Sequence, residues 1–329
     1  MKQNLKWDGH VHTYFSDGDY SPECMVKMAK DSGLDVICIT DHDTVNGVAR
    51  AIAAGNACGI KVISGVEVSS KTKSDLSYAG VGTHILGYGV DYKKMYFDDK
   101  LQQTLDARTE RGWKQVEIYK ENGIELDILD FEEGYLNRVV IGKARFLQKH
   151  GISVKDAMDL WGLDKSHKEI RALIDETGSR GFANVPYPDD KFMSPQQACD
   201  LVNSYGGVAV LAHPGEFVDK YRKKLEKKNE YSDKKMDSVC WESLVDFVTL
   251  LQRDHGLKGI EVYSSKNSDE LTKQLELLAE DFGLIKTLGT DYHGLEAQPK
   301  IKLGEGIDNN VGKYNNGSGE IEKLINILN

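Results

Sequence analysis

Cysteine is scarce in this chain of 329 residues, and the five present, Cys24, Cys38, Cys58, Cys199 and Cys240, are scattered, odd in number and form no C-x-x-C pair. That excludes a disulfide framework and suits reduced thiols packed in or near the core. Long apolar runs are also missing, since none approaches the roughly 18 to 20 residues of a membrane span. The opening Met1-Lys-Gln-Asn-Leu-Lys-Trp-Asp8 lacks the apolar stretch of a secretory signal, so a cytoplasmic protein with no membrane association is expected. Net positive charge is absent: 42 Lys and Arg stand against 52 Asp and Glu, a formal charge of -10. Phosphate backbones are gripped by basic surfaces, so stable nucleic-acid binding is not expected. No internal repeat is evident. At 40% hydrophobic the chain can bury a large core, but length alone does not separate one domain from two.

What is present is alternation. Leu34–Thr40 and Ile60–Val68 are β-branched runs of strand length, with Val48–Gly55 reading as helix between them. Ser21-Pro22-Glu23 has the capping serine, first-position proline and first-turn acid of a helix start, and Gly33 ends that helix. From about residue 96 to about 195 the pattern changes to amphipathic stretches at Leu101–Lys120, Gly142–His150 and His167–Glu176. Alternation resumes at Gly206–Ala212, Lys258–Tyr263 and Ile285–Gly289. With Leu5–Val11 and Thr83–Val90 this makes about seven strands of an α/β fold. It divides as 1–95 and 196–329, two parts of one α/β unit, around a helical insertion at 96–195. The lysine-rich Lys220–Lys235 reads as a solvated helix and loop, and Asn309–Gly319 as a Gly/Asn loop before a final helix.

Six of the nine histidines, His10, His12, His42, His84, His213 and His293, sit beside carboxylates or glycines where strand-like runs end. Strand ends are where an α/β sheet gathers its functional groups, so these side chains point to one polynuclear metal centre. His10 and His12 are two apart and share a strand face, which lets both chelate one ion. Asp291 and His293 repeat that spacing at the last strand, Glu67 ends the third strand and can bridge two cations, and Asp17 lies on the loop after the first pair. His150, His167 and His255 lack such settings and read as ordinary surface or packing residues.

These residues carry a family resemblance. His10-Val-His12 with Ser16-Asp17-Gly18, Ile39-Thr-Asp-His42, Gly65-Val-Glu67, His84-Ile-Leu-Gly-Tyr88, Gly206–Pro214, Gly259-Ile-Glu-Val262 and Gly289–Gly294 resemble, in order, the PHP (polymerase and histidinol phosphatase) family. The resemblance implies a distorted (β/α)7 barrel holding three divalent metal ions, with manganese, iron and zinc all compatible with the mixed N/O donors. It assigns His10, His12, Glu67 and Asp291 to the first ion, Glu67, His84 and His213 to the second, and Asp17, His42 and His293 to the third. Three divalent ions less three carboxylates leave a local excess of about +3, which attracts phosphate to an acidic protein. A water shared by the first two ions, held at Glu67, would attack phosphorus in line while the third ion, in the Asp17, His42 and His293 region, neutralises developing charge. Asp41 is placed to orient a ligand from behind, and Asp43 reads as a helix cap.

Family members with a similar insertion act on AMP or nucleoside 3',5'-bisphosphates, so the expected reaction is hydrolysis of a phosphate monoester of a small phosphorylated metabolite, with inorganic phosphate as product. Their basic stretch, resembling Arg-Pro-His-Ile-Ala-Arg, corresponds here to Val140–Arg145, with Arg145 matching the second arginine and Val140 and Gly142 replacing the first arginine and the histidine. Arg138 or Lys143 would have to substitute. Ser264, Ser265 and Lys266 follow the sixth strand and are further candidates for phosphate contact. Histidinol-phosphate phosphatase, a non-catalytic interaction module and an exonuclease are the competing readings.

Overall fold

The computed structural model describes residues 5–73, 76–128, 135–152, 164–178, 181–187, 191–228, 232–295, 297–315 and 319–328. Seven strands follow chain order around one sheet: β1 (Trp7–Val11), β2 (Val36–Ile39), β3 (Lys61–Lys71), β4 (Gly82–Tyr88), β5 (Val208–Leu211), β6 (Gly259–Ser264) and β7 (Ile285–Gly289). Just past β1 and β7, the His12 amide donates to the Tyr292 carbonyl at 2.9 Å and Val11 bridges Tyr292, so the sheet curls into a nearly closed barrel. The seam is held by this one bridge rather than by a full ladder between β1 and β7.

The distortion lies in strand direction. β3 pairs antiparallel with β4, and β4 with β5, whereas the remaining neighbours are parallel. An antiparallel pair needs only a loop between its strands, and 72–81 supplies it without a helix among the described residues.

Helices clothe the barrel. α1 (Pro22–Asp31) and α2 (Val48–Cys58) pack on β1 and β2 through Met25, Val26, Ala29 and Ala51. α3 (Tyr92–Met95), α4 (Asp99–Glu121), α5 (Arg138–His150) and α6 (Asp164–Asp175) are inserted between β4 and β5; Met95 and Leu101 join the main core, while α4 to α6 contribute to two small clusters, one around Ile141 and one around Ile170 that includes Ala297. α5 starts a turn earlier than its amphipathic run, because the Asn137 side chain accepts the amides of Val139 and Val140. α7 (Pro195–Ser204), opened by a Ser194–Gln197 capping box, α8 (Pro214–Glu226), α9 (Asp233–His255), α10 (Asp269–Phe282) and α11 (Glu320–Leu328) cover β3 to β7. Residues Gly312–Tyr314, in the stretch expected to be loop, form a 3-10 turn.

Cys38, Cys199 and Cys240 are buried as expected, but Cys24 and Cys58 are exposed. Cys24 sits off the Met25/Val26/Ala29 face of α1, and Cys58 is the last residue of α2. No helix among the described residues is long and apolar enough to cross a membrane.

The largest core is anchored by Phe247 of α9, fully buried and stacked on Phe217 of α8 at 5.1 Å between ring centroids. Phe247→Ala is expected to cost about 3–5 kcal/mol of unfolding free energy, measured by denaturant titration. A loss below about 1 kcal/mol would mean that this contact does not hold the helical layer to the barrel.

Candidate metal centre

A register shift between Asp8 and Val11 interrupts the alternation of β1: Val11 packs in the α1/α2 cluster, while His10 and, just past the strand, His12 are fully buried against Glu67 and Asp291. The Nε2 atoms of His10 and His12 each lie 3.2 Å from Glu67 Oε2, and 3.3 Å and 3.2 Å from Asp291 Oδ1. On the other side of the same carboxylate, Glu67 Oε1 is 2.7 Å from His84 Nδ1 and 2.9 Å from His213 Nε2, and those two nitrogens are 3.3 Å apart. A third group forms around Asp17 Oδ1, with His293 Nε2 at 3.1 Å and His42 Nε2 and His12 Nδ1 each at 3.8 Å. His42 stands between two groups, because its Nδ1 is 3.0 Å from Glu67 Oε2. All nine side chains singled out in the sequence meet at one rim.

Two of them arrive by an unexpected route. Glu67 does not end its strand: β3 outruns its parallel partner, bridges His42 at Glu67 and continues to Lys71 as one arm of the β3–β4 hairpin. His84 lies near the start of β4, opposite Ser69, and reaches the same rim because β4 runs the other way. Local sequence marks a strand but not its direction.

The donors fit divalent cations. His10 Nε2, His12 Nε2, His42 Nδ1, Asp17 Oδ1 and Glu67 Oε2 are buried without any hydrogen-bond partner, a costly state for polar atoms. Within each of three overlapping groups (His10, His12, Glu67, Asp291; His42, Glu67, His84; His12, Asp17, His42, His293), the donor atoms lie within 4.8 Å of one another. A cation at each focus would satisfy them together, and imidazole with carboxylate is the donor set of manganese, iron or zinc.

Behind the donors is a layer that holds them. Glu261, buried on β6, has Oε1 3.0 Å from His10 Nδ1 and accepts the His213 amide at Oε2, 2.7 Å away. Asp41 accepts from Thr13 N, Thr13 Oγ1 and Ser16 Oγ, and Ser16 Oγ lies 3.3 Å from His12 Nδ1. Asp8 accepts from Thr290 N, Thr290 Oγ1, His10 N and Gly304 N, joining the first and last strands below the ligands. Such partners fix the orientation and tautomer of metal-binding groups. Asp43 is not a helix cap: α2 is capped at Gly47, and Asp43 accepts the Ser69 amide and pairs with Arg108 Nε, each at 2.7 Å. Asp43, His213 and Asp291 adopt φ of 55°, 24° and 57°, left-handed backbone that costs roughly 1–3 kcal/mol per residue and gathers at functional sites.

A cavity of about 430 Å³ opens above the ligands. Lys266 borders it, its Nζ 3.4 Å from Asp291 Oδ2 and 3.3 Å from Glu216 Oε1. Lys220, in the stretch read as a solvated helix, also borders it, paired to Glu216 at 2.7 Å, as do Lys71, Arg108 and Arg138. Arg145 does not border it: α5 carries that residue toward Glu176, 3.6 Å away, and Gln148. Lys143 instead pairs with Asp19 at 3.3 Å, while Ser264 and Ser265 are buried and do not line the cavity. Of the three remaining histidines, His150 and His255 make exposed pairs with Glu169 and Asp200, and the side chain of His167 lies outside the described residues. Arg108, Glu216 and Glu261 carried no local sequence signal as site residues, although Glu261 falls in the Gly259–Val262 motif.

A nearly closed α/β barrel with an imidazole and carboxylate cluster at one rim is the architecture of a metal-dependent hydrolase. The chain belongs to the PHP family: the PHP domain model matches residues 8–174. It is 26% identical over 286 residues, 87% of this chain and 86% of the other, to the 3',5'-nucleoside bisphosphate phosphatase of Chromobacterium violaceum. It is 24% identical over 290 residues, 88% and 90% of the two chains, to the 5'-3' exoribonuclease of Haemophilus influenzae. A Bifidobacterium adolescentis structure inferred to be a metal-dependent phosphoesterase has the same fold, with a TM-score of 0.67 at 22% identity over 99% of this chain and 98% of that one.

Burial opposes protonation of His12, but the Asp291 and Glu67 carboxylates outweigh it and raise the imidazole to about 10. Burial would likewise raise Glu67 and Asp291, but the surrounding imidazoles hold both well below the usual carboxylate range. A raised imidazole contributes stability that is complete below its ordinary value and lost as pH climbs through the folded one. The metal-free protein is therefore expected to lose stability on this account between about pH 6.5 and about pH 10. Metal requires neutral imidazole, so protein loaded with Mn²⁺ or Zn²⁺ should not share that loss. Thermal unfolding across this range, with and without metal, tests the point, and parallel profiles would refute it.

Proposed function

We propose that the protein is a metal-dependent phosphoesterase that hydrolyses a phosphate monoester of a small metabolite, a nucleotide such as AMP or a nucleoside 3',5'-bisphosphate. The observation that carries this reading is the cavity. Seven of the nine cluster residues, Asp17, His42, Glu67, His84, His213, Asp291 and His293, line its floor, its sides carry Lys71, Arg108, Arg138, Lys220 and Lys266, and the rings of Tyr187 and Phe192 stand at its border. Cations over a metal site suit phosphate, and aromatic rings beside them suit a base. The two relatives act, by their names, on a nucleoside bisphosphate and on RNA, which supports a nucleotide and leaves a single-stranded end in contention.

His10, His12, Glu67 and Asp291 would hold a first ion, Glu67, His84 and His213 a second, and Asp17, His42 and His293 a third. Bound divalent ions lower the pKa of water toward neutrality and neutralise charge on phosphoryl oxygens. The chain's own residues do the rest. Lys266, fixed between Glu216 and Asp291, presents its ammonium beside the cluster and steers a phosphate oxygen toward it. Glu216 restrains Lys220 as well, so two cations are held over the floor by one carboxylate. Glu261 keeps the His10 ring and the His213 backbone in place while substrate enters.

The test is phosphate release by metal-loaded protein from AMP, adenosine 3',5'-bisphosphate, histidinol phosphate and short 5'-phosphorylated oligonucleotides, with metal content measured alongside. The expected outcome is release from a nucleotide and a drop of at least about 100-fold for His12→Ala, since disturbing the holding of a catalytic metal costs on the order of 10- to 100-fold even from behind the ligands. A His12→Ala enzyme equal to wild type would place the chemistry elsewhere, and histidinol phosphate as best substrate would replace the nucleotide.

A further inference from the structure

Where β1 meets β7 the backbones touch closely but share only the bridge at Val11 and Tyr292. A Cβ on Gly9 would lie 2.6 Å from the Leu288 carbonyl oxygen, and one on Gly289 would collide with the His10 Cβ. Side chains take over where the backbone ladder is absent. Asn315, 6% exposed, accepts the Trp7 amide at Oδ1, 2.9 Å away, and donates Nδ2 to the Trp7 carbonyl at 2.8 Å and to the Gly304 carbonyl at 3.4 Å. Its carboxamide thus exchanges with Trp7 the two hydrogen bonds that a residue of an antiparallel neighbour would exchange. On β7 the Lys286 amide donates to Glu320 Oε2 at 3.4 Å, and just past the strand the Thr290 amide donates to Asp8 Oδ1 at 3.0 Å.

These bonds run as one chain from Asn315 to the ligands. Gly304 joins Asn315 to Asp8, since its carbonyl accepts from the carboxamide while its amide donates to Asp8 Oδ2 at 2.9 Å. Asp8 in turn accepts the His10 amide at 3.2 Å and the Thr290 hydroxyl. His10 is a ligand on one side of the seam, and Thr290 precedes Asp291, a ligand on the other, with 3.3 Å between His10 Nε2 and Asp291 Oδ1. The separation of the two strands decides whether one ion reaches both donors, and groups behind the ligands set such separations. Glu67, His84 and His213, on and just past β3 to β5, meet without crossing the seam.

We infer that Asn315 is a positioning residue for the metal centre: its carboxamide takes the place of a ladder rung at the base of the seam and fixes the separation at which His10 and His12 face Asp291 and His293. This rests on the metal-centre reading and not on the choice of substrate. The ions whose ligands span the seam, the first and the third, depend on Asn315, and the ion of Glu67, His84 and His213 does not.

The experiment measures Mn²⁺ affinity and stoichiometry by calorimetry for wild type, Asn315→Ala, Asn315→Ser and Phe247→Ala, at a temperature where circular dichroism shows each chain folded. Phe247→Ala is the control, because it removes a contact of the α8–α9 layer and leaves the seam intact. Asn315→Ala is expected to weaken the seam-spanning ions at least about tenfold and to keep one ion at wild-type affinity, while Phe247→Ala stays within about twofold of wild type. Asn315→Ser, whose hydroxyl keeps one of the bonds to Trp7, should lose less. Wild-type binding of every ion in Asn315→Ala, or in Asn315→Ser should the alanine chain not fold, overturns the role of Asn315, as does a loss shared equally by all ions or by Phe247→Ala. Hydrogen exchange at the His12 amide, which donates across the seam to Tyr292, is read on the metal-free chain. Exchange at least about tenfold faster in Asn315→Ala is expected, and an unchanged rate refutes the rung whether or not metal binds. A wild type that takes up no metal defeats the metal-centre reading instead, and is told apart by that exchange rate.

Discussion

Five imidazoles converge on one buried carboxylate. Glu67 faces His10, His12 and His42 with one oxygen and His84 and His213 with the other, all within 3.2 Å. A fully buried glutamate is tolerated only when its charge is met, so everything around Glu67 must supply positive charge. Without metal, His10, His12 and His213 do so by holding their protons more tightly than usual, and with metal the cations would replace them. Barrel closure, the overrun of β3 and the reversal of β4 each bring one more ring within reach of those two oxygens.

Around this centre, carboxylates and cations are arranged in shells of opposite sign. Ligand carboxylates lie innermost, Lys266 and Lys220 are held over them by Glu216, and the arginines of the insertion form the outer edge. The acidic surface implied by the formal charge of -10 therefore surrounds a mouth that is locally positive. A field focused in this way draws small anions inward while the rest of the molecule repels extended ones.

Most side chains of the cluster were legible because they stand beside a glycine or acid at the end of a short apolar run, a setting visible in one dimension, although Glu67 lies within β3 and His84 near the start of β4. Strand number and the inserted helices were legible for the same reason, since period and composition are local. Strand direction was not: Thr83–Val90 reads the same whichever way it pairs, and only the hairpin with β3 explains how His84 reaches the rim. The supporting residues were hidden for a related cause. Arg108 is one polar position in an amphipathic helix until Asp43 and Ser69 are brought against it, and Glu261 resembles any acid in a strand until His10 and His213 close on it. Arg145 shows the converse, since it matches a family pattern in sequence while α5 directs it to Glu176.

The seam between β1 and β7 brings His10 and His12 against Asp291 and His293, some of the most widely separated residues of the chain. Contacts of such long range form late, because their loop entropy must be met before they contribute. The first ligand group therefore has no partial precursor: strands three to six can assemble without it, and it exists only once the last strand has docked on the first. A chain stalled short of closure therefore lacks the His10, His12, Glu67 and Asp291 group, whereas Glu67, His84 and His213, on and just past β3 to β5, can already meet.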